Sequence, residues 1–472
     1  MHAVFYDLET SDKNSIGQIL NYCFILRGPS GEVLDELSGL VKLSRLQIPD
    51  PGAILANRTD LAEHQLSASD YEPEAMLKIA GFLERCIKIA QGAITLIGYN
   101  SSRFDLNYLR TSFIRNGINP YFNQQIIPRD LLHAVQKAYL QSDHFRQLVL
   151  KQRGDEKKLS LSLQTVGHAL GLLTGEQAHE SREDVVLTIK VAEWIKRECG
   201  IEATTYEAYE GGRLHSTARS GSVYLLLNPD YELGGSSYYS KTPVTLLDAN
   251  NKSALWIDLE RYMSKQSPEC IMWRSAAKHA FFVESSAVND PDLQRAARAA
   301  LNQFKGINVK NYFNPSTCDI ELDIYRIDFD SLDIYGRALR ENNKRLLDES
   351  SNPDLKKLWV RRQLASQQAD IREPSTAEML RKYAMHRYGG KLQLSKNIDD
   401  SKKREQGDFH PTLGEMVRHL NMSRDAAAAR NDLADLKLLD SLERYIRASD
   451  IAQVAGSELI PMWFGQANAA GL

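Results

Sequence analysis

Five residues of this chain could do chemistry together. Asp7 and Glu9 lie two apart in the run AVFYDLET, residues 3–10. Alternate residues of a strand point the same way, so the two carboxylates project side by side from an otherwise apolar and aromatic stretch. Adjacent ionised carboxylates repel, and burying them is costly without a cation. Asp105 follows an apolar run and a polar turn in IGYNSSRFDLNYL and opens a helix-like stretch. In AHESRED, His179 and Asp184 stand just ahead of the helical VVLTIKVAEWI. Taken singly, each has a plain explanation: strand-end acids facing water, first-turn acids meeting a helix dipole, and an exposed loop histidine.

The elements that must position these residues are legible from periodicity. HAVFYDLET and QILNYCFILRG read as strands, and LDELSGLVKL as a third strand leading into a proline-containing loop, QIPDPGAI. EPEAMLKIAGFLERCIKIA is helical, and QGAITLIGYN is a short apolar strand. DLNYLRTSFIRNG is a helix with glycine at its end, followed by PRDLLHAVQKAYLQ, SLQTVGHALGLL and SREDVVLTIKVAEWIKREC. Strands come first and helices are interleaved, which predicts an α/β unit with a mixed sheet. Residues 205–260 are rich in Tyr, Ser, Gly and Thr and predict short strands and turns, as in a small barrel. DPDLQRAARAALNQFK is a helix. From about residue 350 the chain is helical and charged, interrupted by the loop GGKLQLSKNIDDSKKREQGDFHP. RDAAAARNDLADLKLLDSLERYIR predicts one amphipathic helix.

A length of 472 residues predicts two to four domains at about 100–200 residues each. No run approaches ~18 consecutive apolar residues, and the start MHAVFYDLET has neither a basic nor a long apolar signal region. Cys23, Cys86, Cys199, Cys270 and Cys318 are odd in number and never spaced as CxxC. That argues against a disulfide framework or a zinc ribbon and predicts reduced thiols in a cytosolic protein. The net charge of −3 says little about partners, because nucleic acid needs a basic groove rather than a basic total.

In combination the three acidic clusters form an ordered pattern. Apolar-Asp-x-Glu-Thr on the first strand, an Asp after N-x-x-x-F, and His-x-x-x-x-Asp before a final helix resemble the DEDD superfamily of 3′–5′ exonucleases, in its histidine (DEDDh, DnaQ-like) branch. The likeness narrows to bacterial exonuclease I through YDLET, IGQI, IGYNSSRFDLNYLRTSFIRNGINPY, RDLLHAVQKAY and AHESREDVVLTIKVA. Weaker likeness continues through LLLNPDYE, ALWIDLE, DPDLQRAARAAL, DIELDIY and LWVRRQ. The resemblance implies an RNase H-like exonuclease domain at 1–200, a small SH3-like β-containing domain at 201–350 and a helical C-terminal domain at 351–472, together forming a C-shaped clamp. Two departures stand out. Ser181 replaces the small alanine usual two residues after the histidine, and Ser162 falls where an arginine touches substrate, so that Lys157 or Lys158 would have to supply the charge.

The chemistry implied is stepwise release of nucleoside 5′-monophosphates from a 3′ end of single-stranded DNA, as in DNA repair or recombination. Asp7, Glu9, Asp105 and Asp184 would hold two divalent cations. All-oxygen ligands suit Mg²⁺, with Mn²⁺ as substitute. Asp7 would bridge the ions, and His179 would take the proton of the attacking water. Substrate would be met by Glu9, Thr10, Phe104, Arg103 and Ser162, with Arg110, Arg115 and Arg129 as further cations. RLHSTARSGSVY, YYSKTP, RRQ at 361–363 and SKKR at 401–404 interleave basic residues that could follow a backbone. A cytoplasmic monomer with single-strand-binding protein as partner and no membrane is expected. The alternative is an RNA- or short-oligonucleotide-directed exonuclease of the same superfamily.

Overall fold

The computed structural model describes residues 1–13, 17–102, 104–153, 160–175, 180–205, 220–229, 239–249, 253–275, 282–283, 288–308, 328–365, 370–388 and 413–459. Arg103, Lys157, Lys158, His179, Cys318, the loop at 389–411 and most of RLHSTARSGSVY lie outside them.

The N-terminal part is built on six strands: β1 (Ala3–Thr10), β2 (Ile19–Arg27), β3 (Val33–Lys42), β4 (Asp70–Tyr71), β5 (Ile94–Gly98) and β6 (Ile126–Asp130). Their order is β4-β3-β2-β1-β5-β6, with β2 antiparallel to both of its neighbours, β1 and β3, and with β5 and β6 parallel to β1. The mixed sheet expected from the sequence is therefore present, and β1 lies inside it. Between these strands run the helices α1 (Pro51–Ala56), α2 (Leu61–Ser67), α3 (Glu72–Ala90) and α4 (Asp105–Arg115), and after β6 follow α5 (Leu131–Gln141), α6 (Asp143–Arg153), α7 (Leu163–Ala169) and α8 (Ser181–Cys199). Residues expected as a proline loop include α1, because the Asp50 side chain accepts from the amides of Gly52 and Ala53 and Pro51 presets the first helical position.

Strand alternation divides the core in two. Ala3 and Phe5 of β1 face α5, α7 and α8 in one cluster, whereas Val4, Tyr6 and Leu8 face α3 and α4 in another. Asp7 and Glu9 continue the Ala3–Phe5 face, so they emerge where α8 starts.

A second, antiparallel sheet has the order β10-β9-β8-β7-β11. Its strands are β7 (Val223–Pro229), β8 (Tyr239–Ala249), β9 (Ser253–Asp258), β10 (Ile271–Ser275) and β11 (Phe282–Val283), packed against helix Pro291–Gln303. The C-terminal part is helical. The stretch expected as one helix from Arg424 is broken into Leu413–Ala429 and Leu433–Ala448. Asn431 adopts a left-handed φ of 55° there, and Asp432 caps the second helix by accepting from the amide of Asp435 at 3.0 Å. No helix among the described residues is long and apolar enough to cross a membrane.

The later helices pack directly on the first sheet's surroundings. Leu364, Leu380, Tyr388, Leu413, Leu420 and Leu439 share a core with Leu20, Leu46, Ile48 and Leu61. The Tyr388 hydroxyl accepts from the Ile48 amide at 3.0 Å and donates to the Leu46 carbonyl at 2.9 Å. Helix Phe329–Arg340 meets the end of α4 backbone to backbone: a methyl on Gly336 would fall 2.3 Å from the Gly117 carbonyl oxygen. Gly336→Ala should therefore destabilise the protein by about 1–3 kcal/mol, the usual cost of overpacking. Urea unfolding would measure it, and an unchanged midpoint would mean that this approach is not tight.

Candidate active site

Strand β1 pairs with β5 only from Ala3 to Phe5. Beyond that point the strands part, and the β1 amides on that side need other partners. The Leu8 amide, between the two acids, donates to Oδ1 of Asp105 at 3.2 Å. Asp105 is the first residue of α4, 5% exposed, so one backbone bond ties the second acidic cluster to the first. On the other side, α8 brings Asp184 in its first turn, also 5% exposed. One carboxylate oxygen each from Asp7, Glu9 and Asp184 lies within 4.8 Å of the others. Of the four acids expected to converge, Asp7, Glu9 and Asp184 lie in a tight group at one end of β1, and Asp105 is held by the Leu8 amide between the first two.

Their closeness has an electrostatic cost. Burial, then Asp105, Glu9 and Asp184, push the Asp7 carboxyl well above its ordinary range. Glu9 is pushed up to about 9 by burial and by Asp184 and Asp105. Asp105 rises to about 7, chiefly through burial, against the lowering effect of backbone hydrogen bonds. All the donors are carboxylate oxygens, the set that hard divalent cations such as Mg²⁺ or Mn²⁺ prefer. A cation there would reverse the order of charge preference and favour the ionised acids. The residues present therefore fit a divalent metal centre.

A supporting acid was not anticipated from the sequence. Asp130, at the end of β6 and 3% exposed, accepts from the Ser102 amide at 3.1 Å and the Ser102 hydroxyl at 2.7 Å. Its other oxygen caps α5 through the Leu132 amide at 3.1 Å. It fixes the turn that delivers Asp105 to the site. Its signal in the sequence is the Asp-Leu-Leu of PRDLLHAV, an N-cap before an apolar helix.

The expected substrate residues fall unevenly. Thr10 is 2% exposed and its hydroxyl donates to the Asp12 carbonyl at 3.0 Å. Phe104 is half-buried at the start of α4, its ring centroid 5.1 Å from that of Tyr108. Ser162 caps α7, its oxygen accepting from the Thr165 amide at 3.2 Å, and it is exposed. Arg110 lies over the Tyr121 ring at 4.9 Å, and Arg129 is half-buried. Arg115 is interior: 2% exposed, it donates to the Gly17 carbonyl at 2.9 Å and pairs with Glu72. It braces α4 and does not line a surface path. Arg361 and Arg362 sit half-buried on helix Asp354–Ala365.

The carboxyl positions generate a pH dependence. Glu9 has an ordinary value of 4.5 and is held near 9 in the folded protein. A raised acid stabilises the fold fully below its unfolded value, and that contribution is lost as pH rises through the folded value. In EDTA, Glu9→Gln should therefore gain thermal stability over wild type progressively from about pH 4.5 to about pH 9. With Mg²⁺ added, the wild type should recover the difference. A pH-independent gap between the two would contradict the burial of an ionisable Glu9.

No family model and no curated protein matches this sequence. Solved structures do match its fold. E. coli exonuclease I in complex with a dT13 oligonucleotide is 15% identical with a TM-score of 0.62, covering 94% of this chain and 99% of that one. The zinc-bound form of the E. coli exonuclease I complex with single-stranded DNA gives 16% and 0.63, over 94% and 98%. A moderately thermophilic exonuclease I from Methylocaldum szegediense gives 17% and 0.66, over 94% and 99%. Through the central mixed sheet, the second sheet and the helical C-terminal region alike, the chain is similar in fold to exonuclease I over nearly its whole length.

Proposed function

We propose that this protein is a metal-dependent 3′–5′ exonuclease that degrades single-stranded DNA to nucleoside 5′-monophosphates. The observation that carries the reading is the convergence of Asp7, Glu9 and Asp184, with Asp105 tied in through the Leu8 amide. A fold similar to proteins solved with bound oligonucleotides supports the substrate class, and a zinc-bound neighbour supports a divalent ion.

Asp7, Glu9, Asp105 and Asp184 would hold the ions. Once bound, two divalent ions supply charge stabilisation for the attacking and leaving oxygens of a phosphodiester. The protein's own part is to place and to neutralise. Asp7, on the rigid inner strand, fixes the centre of the site, and Glu9 stands one strand repeat farther along, toward the open end. His179, one residue ahead of Glu180 at the capping position of α8, takes the proton of the attacking water on a ring nitrogen. Water oxygen bonds to phosphorus and the bond from phosphorus to the 3′ oxygen breaks. A nucleoside 5′-monophosphate leaves, and the shortened strand keeps a 3′ hydroxyl for the next round. Mg²⁺ as the resident ion, a monomer acting in the cytoplasm in DNA repair or recombination, and single-strand-binding protein as a partner belong to the same reading.

A 5′-labelled DNA strand and its RNA counterpart, each incubated with and without Mg²⁺, test it. The DNA should shorten stepwise from its 3′ end, only with metal, and faster than the RNA. Asp7→Ala should abolish cleavage, and His179→Ala should slow it roughly 10²–10⁴-fold. Cleavage by Asp7→Ala near the wild-type rate would remove the metal assignment, and preference for RNA would overturn the substrate.

A further inference from the structure

The start of α8 carries Asp184 into the site, yet it lacks the usual means of fixing a helix end. Glu180, in the capping position, makes no side-chain hydrogen bond to the first-turn amides, a role that Ser, Thr, Asp or Asn commonly fills. One buried polar tie of this turn runs sideways. Ser181, 1% exposed, donates its hydroxyl to Oδ1 of Asn21 at 2.7 Å. A second tie, from Arg182 to Glu36 on β3 at 2.7 Å, is exposed, where solvent weakens such pairs.

The place of the Ser181–Asn21 bond is informative. Asn21 on β2 is registered directly opposite Glu9 on β1, and residues so paired send their side chains to the same face. Ser181 and Asp184 are three apart and share one face of α8. A single hydrogen bond therefore joins the cross-strand neighbour of one site acid to the helical neighbour of another. Deeper along α8, Val185 and Ile189 are anchored in the core. The first turn, residues 181–184, carries no apolar residue that could anchor it in the same way.

We propose that Asn21 and Ser181 are a positioning pair that fixes Asp184 against Glu9 and so raises the affinity of the site for its divalent ions. The proposal rests on the metal-dependent reading above. Neither residue is a ligand in it. The pair acts on the ligands' spacing, the kind of outer contact whose loss typically weakens metal binding about 10–100-fold.

Mn²⁺ titrated into the full chain, with the free ion followed by electron paramagnetic resonance, tests this apart from catalysis. Ser181→Ala and Asn21→Ala should each weaken Mn²⁺ binding about tenfold or more. The double variant should bind no worse than either single one, because both remove the same bond. Ser181→Thr, which keeps a hydroxyl donor, should restore binding toward wild type. Wild-type affinity in Ser181→Ala, or additive losses in the double variant, would overturn the pair while leaving the metal centre standing. Absence of Mn²⁺ binding in the wild type would overturn both the pair and the metal-dependent reading.

Discussion

Repulsion among carboxylates at the end of β1 is the constraint on which the rest of this structure turns. A protein gains nothing in stability by drawing Asp7, Glu9 and Asp184 to within 4.8 Å of one another; burial and mutual charge push the Asp7 and Glu9 carboxyls well above their ordinary range. The arrangement persists because the surrounding fold holds it. Strand β1 lies inside the sheet with both faces covered. Its early parting from β5 leaves the Leu8 amide to hold Asp105. Cations are the natural completion of such a site, since they turn the repulsion into attraction.

Much of the chain serves this rigidity at a distance. The loop after β1 is tied down by the Asp50 amide, which donates to the Ser11 carbonyl at 2.8 Å. Asp50 also caps α1 and stands 3.5 Å from His419 of helix Leu413–Ala429. Tyr388 grips the backbone at Leu46 and Ile48, and Arg58 pairs with Asp435. The C-terminal helices thus brace the segment that follows β3, next to the open end of β1. On the other flank, Asp130 fastens the turn before α4 through Ser102. The site is a small acidic centre held by contacts that reach across the whole chain.

The acids of the site are easier to read from the sequence than the residues that support them. Asp7 and Glu9 are two apart on a strand, and Asp105 and Asp184 open helices, so local periodicity alone gives their directions. Asn21 and Ser181 are 160 positions apart, and nothing local announces that they meet. Asp130 carries a visible capping signal, but its grip on Ser102 is a tertiary fact. The break at Asn431 was lost because the apolar stripe continues across it. Arg115, with its charge suggesting a strand path, is buried instead because Glu72 and the Gly17 carbonyl satisfy it inside the fold. Charge in a sequence says little about exposure when a partner lies far along the chain.

The central claim is that acids kept protonated by burial and by one another's charge become ionised when divalent ions arrive. Calorimetric titration of Mn²⁺ near neutral pH, repeated in two buffers of different ionisation enthalpy, counts the protons released on binding. The account predicts release of at least one proton per protein, drawn from the group whose carboxyl is held near pH 9. Binding without proton release, or no binding at all, would contradict it.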